Sequence, residues 1–322
     1  MSVSGSDANP GTLSAPWRTV QKAIDVLGPG QLAYVRAGTY GQTRCGSGDG
    51  GSAAGGYVTI AAYPGERPVF SGPYDGIWSI SCAYLRVQGF VIDGPSVVGG
   101  ANVYASGSSH HIELIGNEVR NSVCQGIGVE PSAHHWSFLR NRIHDNGHGC
   151  DQQAHGIYLQ GDDHLVANNL IYNTAEGYGI QAYPSGNRNL IAQNTIVNSG
   201  RGGIVVGGGS YDQAKIVNNV LAFNGGYGLH WNSSKPTNCL VARNLAYGNQ
   251  AGGIEAGAPA SCTLRDTLTS NPLFVSLATL DLHTLTGSPT INAADLNYNY
   301  GPDYDGTPRP QGAAPDIGAY ER

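Results

Sequence analysis

An asparagine returns roughly every 25 residues along the middle of this chain, and that period limits what it can fold into. It opens an Asn-x-hydrophobic-x-Asn phrase at Asn117, Asn169 and Asn194, with looser copies at Asn141, Asn219 and Asn244, at intervals of 24, 28, 25, 25 and 25 residues. A Gly-aliphatic pair keeps step at Gly126-Ile127, Gly156-Ile157, Gly179-Ile180, Gly203-Ile204, Gly228-Leu229 and Gly253-Ile254. Such a period implies stacked supersecondary units. Within HGIYLQGDDHLVANNLIYNT, alternation turns Ile157, Leu159, Leu165, Ala167 and Ile171 inward. Three short strands per circuit make one coil of an all-β, single-stranded, right-handed parallel β-helix. The recurring Asn belongs at a turn, where it tolerates a left-handed backbone and can bond to the next coil in a ladder.

Ahead of the repeats, residues 14–27 carry helical spacing at Val20, Ala23, Ile24 and Leu27, with Ser14 as the expected N-cap and Pro16 in the first turn. Gly28-Pro29-Gly30 stops this helix, which is placed to cap the open end of the solenoid. Strands are expected at 32–35, 57–62 and 84–92, and residues 41–56 read as a Gly/Ser/Ala loop. The formal charge of −6 gives no basic field for nucleic acid. No apolar run of about 18 residues is present to span a membrane. The opening MSVSGSDANPGT has neither part of a signal peptide, so Met1 is expected to replace a removed leader. Cys239 and Cys262 precede matching strands of successive repeats, Cys124 and Cys150 occupy matching loops, and Cys45 and Cys82 remain as a third pair. Adjacent coils lie about 4.8 Å apart, within disulfide reach, which favours an oxidising compartment and a secreted or cell-surface protein.

GSDANPGTLSAPWRTVQKAID, YVRAGTY and VTIAAYPGERPVFSG, together with the tail from NPLFVS to PDIGAYE, resemble secreted bacterial right-handed parallel β-helix proteins of the pectate-lyase-like superfamily. The tail is similar to the choice-of-anchor Q segment of such proteins. The resemblance covers nearly the whole chain. It implies one domain over 1–322: a cap and first strand (1–40), coils (41–270) and a closing segment (271–322). It also implies a monomer acting on a polysaccharide, with a groove along one outward strand column and calcium as the cofactor to look for.

Alternation identifies that column. One outward row reads Gly128, Tyr158, Gln181, Val205, His230, Glu255, and a second reads Glu130, Gln160, Tyr183, Gly207, Asn232, Gly257. The resulting strip, with Tyr158, Gln160, Gln181 and Tyr183 set apart from His230 and Asn232 by the Val205/Gly207 coil, suits a sugar-binding floor, as does Glu130 beyond it. A plain stacked surface would have the same composition. The longest loop, 143–155, carries His144, Asp145, His148, Asp151 and His155. It admits three readings: His155 or His148 as a general base with Tyr158 as acid, a metal site drawing on His144, His148, Asp151 and His155, or on Asp145 with Asp151, without a compact ligand motif, or a polar loop packed over the coil. His110-His111, His134-His135 and His164 read as turn residues. Asp303, Asp305 and Asp316 offer oxygens in the tail, though no calcium-loop motif is complete there. The leading expectation is a polysaccharide lyase working by β-elimination on a uronic-acid glycan. A glycoside hydrolase and a non-catalytic binder are the alternatives. The hydrolase needs paired carboxylates, and Glu130 and Glu255, five coils apart or about 24 Å, cannot form one, leaving loop carboxylates such as Asp145, Asp151 or Glu176.

Overall fold

The computed structural model describes residues 1–73, 76–94, 100–150, 154–232 and 236–322. Its strands stack into three parallel sheets of ten, nine and nine strands, each strand bonded to its counterpart on the next coil. One coil runs, for example, through Leu165–Ala167, Leu170–Tyr172 and Tyr178–Ala182. About nine turns follow, with the inward positions filled by aliphatic columns such as Ile127, Ile157, Ile180, Ile204 and Leu229, all fully buried. Each such side chain contributes about 1.5–3 kcal/mol by leaving water. Wider early coils take Phe70, Trp78, Phe90, Trp136 and Phe138 instead.

The asparagine period is confirmed as a ladder, but its labour is divided differently from the expectation. Asn117, Asn141, Asn169, Asn194, Asn219 and Asn244 lie inside, and each Oδ1 from Asn141 onward accepts the backbone N–H of the ladder Asn one coil earlier. Their Nδ2 groups donate to carbonyls of that earlier coil, as Asn194 does to Val166. The left-handed backbone falls on their neighbours: Gly116, Arg140, Asn168, Gln193, Asn218 and Arg243 before them, and Asn121, Asn173 and Asn198 closing the phrase. One residue therefore turns the corner and the next locks the coils together.

Three expectations are revised. The helix is Val20–Val26, capped by Thr19, because Asp7 accepts the N–H groups of Arg18 and Thr19 and the Thr19 hydroxyl. That holds Thr19 extended and keeps Ser14 and Pro16 outside the helix. Coiling begins earlier than residue 41, since Leu32–Val35, Thr39–Tyr40 and Thr43–Cys45 already form a circuit. Residues 84–92 are two strands, Ala83–Gln88 and Val91–Asp93, broken at Gly89 with φ of 82°.

The tail packs along the side of the stack. Leu282, Ala294, Ile317 and Ala319 lie against the outer face of the second sheet, on Leu170, Tyr172, Val197, Val220, Ala222 and Leu245. Corner residues of that sheet hold it: Asn218 exchanges bonds with Asp295, and Asn168 donates to Tyr300. Cys45–Cys82, Cys124–Cys150 and Cys239–Cys262 are disulfides with Cα–Cα distances of 5.4, 5.1 and 4.4 Å. Among the described residues, no helix is long and apolar enough to cross a membrane.

Candidate active site

The two outward rows stand in the expected register: Gly128 pairs with Tyr158, Tyr158 with Gln181, Gln181 with Val205 and Val205 with His230. A third outward row precedes them. The glycine of each Gly-aliphatic pair faces the interior, where a Cβ on Gly179 would sit 2.3 Å from Ile196 Cγ2. The residue before it is thereby thrown outward, which puts Tyr178 and Tyr227 on the same face as Gln181 and His230.

Tyr178 reorganises this face. The next coil has Gly202 at its register position, and the Tyr178 ring lies within 3.2 Å of where a Gly202 Cβ would be. The ring leans across that coil to stack on His230, with centroids 6.0 Å apart and planes at 15°. Tyr227 stacks on His230 too, at 6.1 Å and 15°. Val205, expected as a flat outward separator, is only 2% exposed. It forms part of the lining of a cleft of about 280 Å³ shared with Tyr158, Tyr178, Gln181, Tyr183, Arg201 and Asn232. The two halves of the strip are thus one site, spanning four consecutive coils. Tyr178 and Arg201 were missed because alternation was counted forward from the Gly-aliphatic pair; the repeated glycine was the signal.

The charged groups are fixed. His230 Nδ1 lies 3.1 Å from Glu255 Oε2, and that oxygen accepts the Trp231 N–H at 2.8 Å. Glu255 therefore sets the imidazole's orientation. Burial raises the Tyr178 hydroxyl above the usual phenol range, with Arg201 opposing and Glu255 reinforcing. Burial, reinforced by Tyr183, also raises Tyr158. Both phenols stay protonated at neutral pH and can donate.

His155 is not placed to act as a base. It is 0% exposed, its Nδ1 accepts the Tyr178 N–H at 3.2 Å, and its ring lies 5.7 Å from that of Tyr158 and 6.0 Å from that of Tyr178. It sits beneath the cleft and positions the strand that carries Tyr178. His148 is exposed and donates to the Asp145 carbonyl at 2.8 Å; it does not line the cleft. Glu130 lies on the N-terminal side of the cleft and accepts the Tyr104 hydroxyl. Gln160 stands beside Tyr183 on the strip, outside the cleft lining.

The described carboxylates expected as calcium ligands are taken up by other partners. Asp145 is bound by His144 at 2.6 Å and Asn173 at 2.9 Å, and Asp151 lies outside the described residues. In the tail, Asp303 accepts the N–H groups of Thr307 and Glu321, Asp316 those of Asn292 and Arg322, and Asp305 is bound by His283. Among the described residues, no three His, Cys, Asp or Glu side chains converge on a metal position.

Residues 1–258 match the family described as Pel9A-like, right handed beta helix region. The crystal structure of pectate lyase Pel9A superimposes over 100% of this chain and 95% of its own, with a TM-score of 0.61 and 16% identity. That of the periplasmic alginate epimerase AlgG covers 76% of this chain and 61% of its own, with a TM-score of 0.51 and 17% identity. No curated protein sequence matches the chain. At these identities the structural likeness is one of fold, whereas the family match takes in most of the sequence. The chain belongs to the Pel9A-like right-handed β-helix family.

Proposed function

We propose that this protein is a carbohydrate-active β-helix that cleaves a uronic-acid-containing polysaccharide by β-elimination. The observation that carries this reading is a cleft lined by a guanidinium and protonated tyrosines, with a carboxylate-oriented imidazole, His230, stacked on Tyr178 beside it. In this mechanism Arg201 faces the uronate carboxylate and stabilises the charge that gathers there as C5 is deprotonated. His230 Nε2 takes the C5 proton, the electrons form the C4=C5 double bond, and the C4–O4 bond breaks. The departing oxygen receives a proton from Tyr178.

Tyr178 takes the acid's role in place of Tyr158 for a reason of length. Tyr158 lies three coils from His230 in register, about 14 Å, whereas the proton and the leaving oxygen belong to adjacent carbons. Tyr178 reaches across Gly202 to the imidazole. Tyr158, Gln181, Tyr183 and Asn232 then hold the sugars on either side, the rings against C–H faces and the amides on hydroxyls. Among the described residues no carboxylate lines the cleft, which disfavours a hydrolase built there. The names of the two structural neighbours, a pectate lyase and an alginate epimerase, belong to chemistry on uronate polymers.

The test is incubation with polygalacturonate, alginate, hyaluronan and a neutral glycan. Ultraviolet absorbance from unsaturated uronate on an acidic polymer alone is the expected result. New reducing ends without that absorbance would mean hydrolysis, and saturable binding without product would mean a binding scaffold. Either outcome overturns the proposal.

A further inference from the structure

The corner that joins the third sheet to the first carries four imidazoles in a two-by-two array, outside the cleft. His110 pairs with His134 in strand register, and their rings stack 4.9 Å apart at 9°. His111 and His135, both left-handed with φ of 53° and 55°, stack 4.8 Å apart at 8°. Tyr84 continues the second stack below His111, at 4.6 Å and 13°. Within each coil the two rings stand nearly perpendicular, at 84° and 82°, and their Nδ1 atoms face one another at 3.0 and 2.9 Å.

That separation suits more than one shared proton. With metal–nitrogen bonds of about 2.0–2.1 Å, two nitrogens about 3 Å apart subtend about 90–95° at a common ion. This is the cis angle of a square-planar or tetragonal site, which copper(II) and nickel(II) favour. Tetrahedral zinc would need about 3.3 Å at the same bond length. The left-handed corner fixes the geometry, and stacking repeats it one coil later.

We propose that His110/His111 and His134/His135 are two bidentate imidazole sites for a divalent transition ion, copper(II) or nickel(II), completed by water. Two nitrogens per ion is fewer than the three convergent ligands of a full protein cage. Carboxylates do not complete the set: Asp163 is engaged by Arg188 and Asp162 by Asn187 on the adjoining coils. Their charge still favours a cation on this corner. The array borders the strands that carry Tyr104 and Glu130, on coils that precede the cleft.

The test is a titration of the chelator-stripped full chain with copper(II) chloride alone, followed by calorimetry and by the nitrogen hyperfine pattern in electron paramagnetic resonance. Two saturable equivalents with imidazole nitrogen couplings are expected. His111→Asn/His135→Asn, chosen because Asn tolerates the left-handed corner, is expected to weaken both sites by roughly tenfold or more. Should that variant fail to fold, His110→Gln/His134→Gln, at positions of ordinary backbone, tests the same nitrogens. Absence of saturable binding by the native chain overturns the proposal. So does unchanged binding in a folded variant, which would place the copper on another group such as His283.

Discussion

Replacing Asn194 by Ala tests the ladder where it is most continuous. Asn194 is 0% exposed. Its Oδ1 accepts the Asn169 N–H at 3.0 Å and Asn169 Nδ2 at 2.9 Å. Its Nδ2 donates to Val166 O at 2.8 Å, Ala192 O at 3.1 Å and Asn219 Oδ1 at 3.0 Å. The substitution removes all of these and deprives the buried Asn169 N–H of its acceptor. One orphaned buried donor costs about 1–3 kcal/mol, and each lost bond between groups that keep other partners about 0.5–1.5 kcal/mol. With four such bonds lost besides the orphaned donor, the expected total is about 3–9 kcal/mol. Asn198 is the control: it is exposed, makes one contact of 3.4 Å with Asn173, and has φ of 55°. Asn198→Ala should cost about 1–2 kcal/mol, the price of a left-handed alanine. Urea unfolding followed by circular dichroism, with both variants compared at a common denaturant slope, reads the difference. Equal midpoints for the two variants would refute the ladder as a source of stability.

Other expectations follow from the same geometry. Burial holds His164 at about 4, below its ordinary 6.5, with Nδ1 accepting the Trp136 N–H and Nε2 donating to Gln160 O. The His144 hydrogen bond, with Arg67 and Arg120 behind it, holds Glu118 at about 2 against burial, below its ordinary 4.5. Both folded values lie below the unfolded ones, so their stabilisation is complete above about pH 6.5 and 4.5 respectively and is lost as pH falls toward 4 and 2. His164→Gln should flatten the melting temperature between pH 6.5 and 4, and Glu118→Gln should flatten it below 4.5; unchanged slopes by calorimetry would count against these assignments. Gly179→Ala should cost about 1–3 kcal/mol by overpacking against Ile196 and should slow turnover by moving Tyr178, seen as a lower kcat in a folded variant.

The asparagine and glycine periods were enough to fix the coil, the inward columns and the register that sets Tyr158 beside Gln181, because a two-residue alternation leaves no freedom once a corner is placed. They gave the direction of a side chain but not its cover. His155 follows the outward register yet is fully buried beside the Tyr158 and Tyr178 rings; Val205 stands in register with Gln181 and His230 yet is 2% exposed. Cover depends on which neighbour is glycine, as at Gly202, and on rotamers. Tail docking was hidden for a similar reason: Leu170, Val197 and Val220 alternate as outward residues, and only their shared apolar character marks a second packing face. Asp7 lies twelve residues before Thr19, so the helix cap could not be found by local spacing.

The most direct measurement of the central claim is the initial rate of unsaturated uronate formation by the native chain and by His230→Gln on the polymer it cleaves. The cleft mechanism predicts a kcat lower by about 10²–10⁴ in a folded variant, as for loss of a general base. A native rate retained by His230→Gln would contradict it.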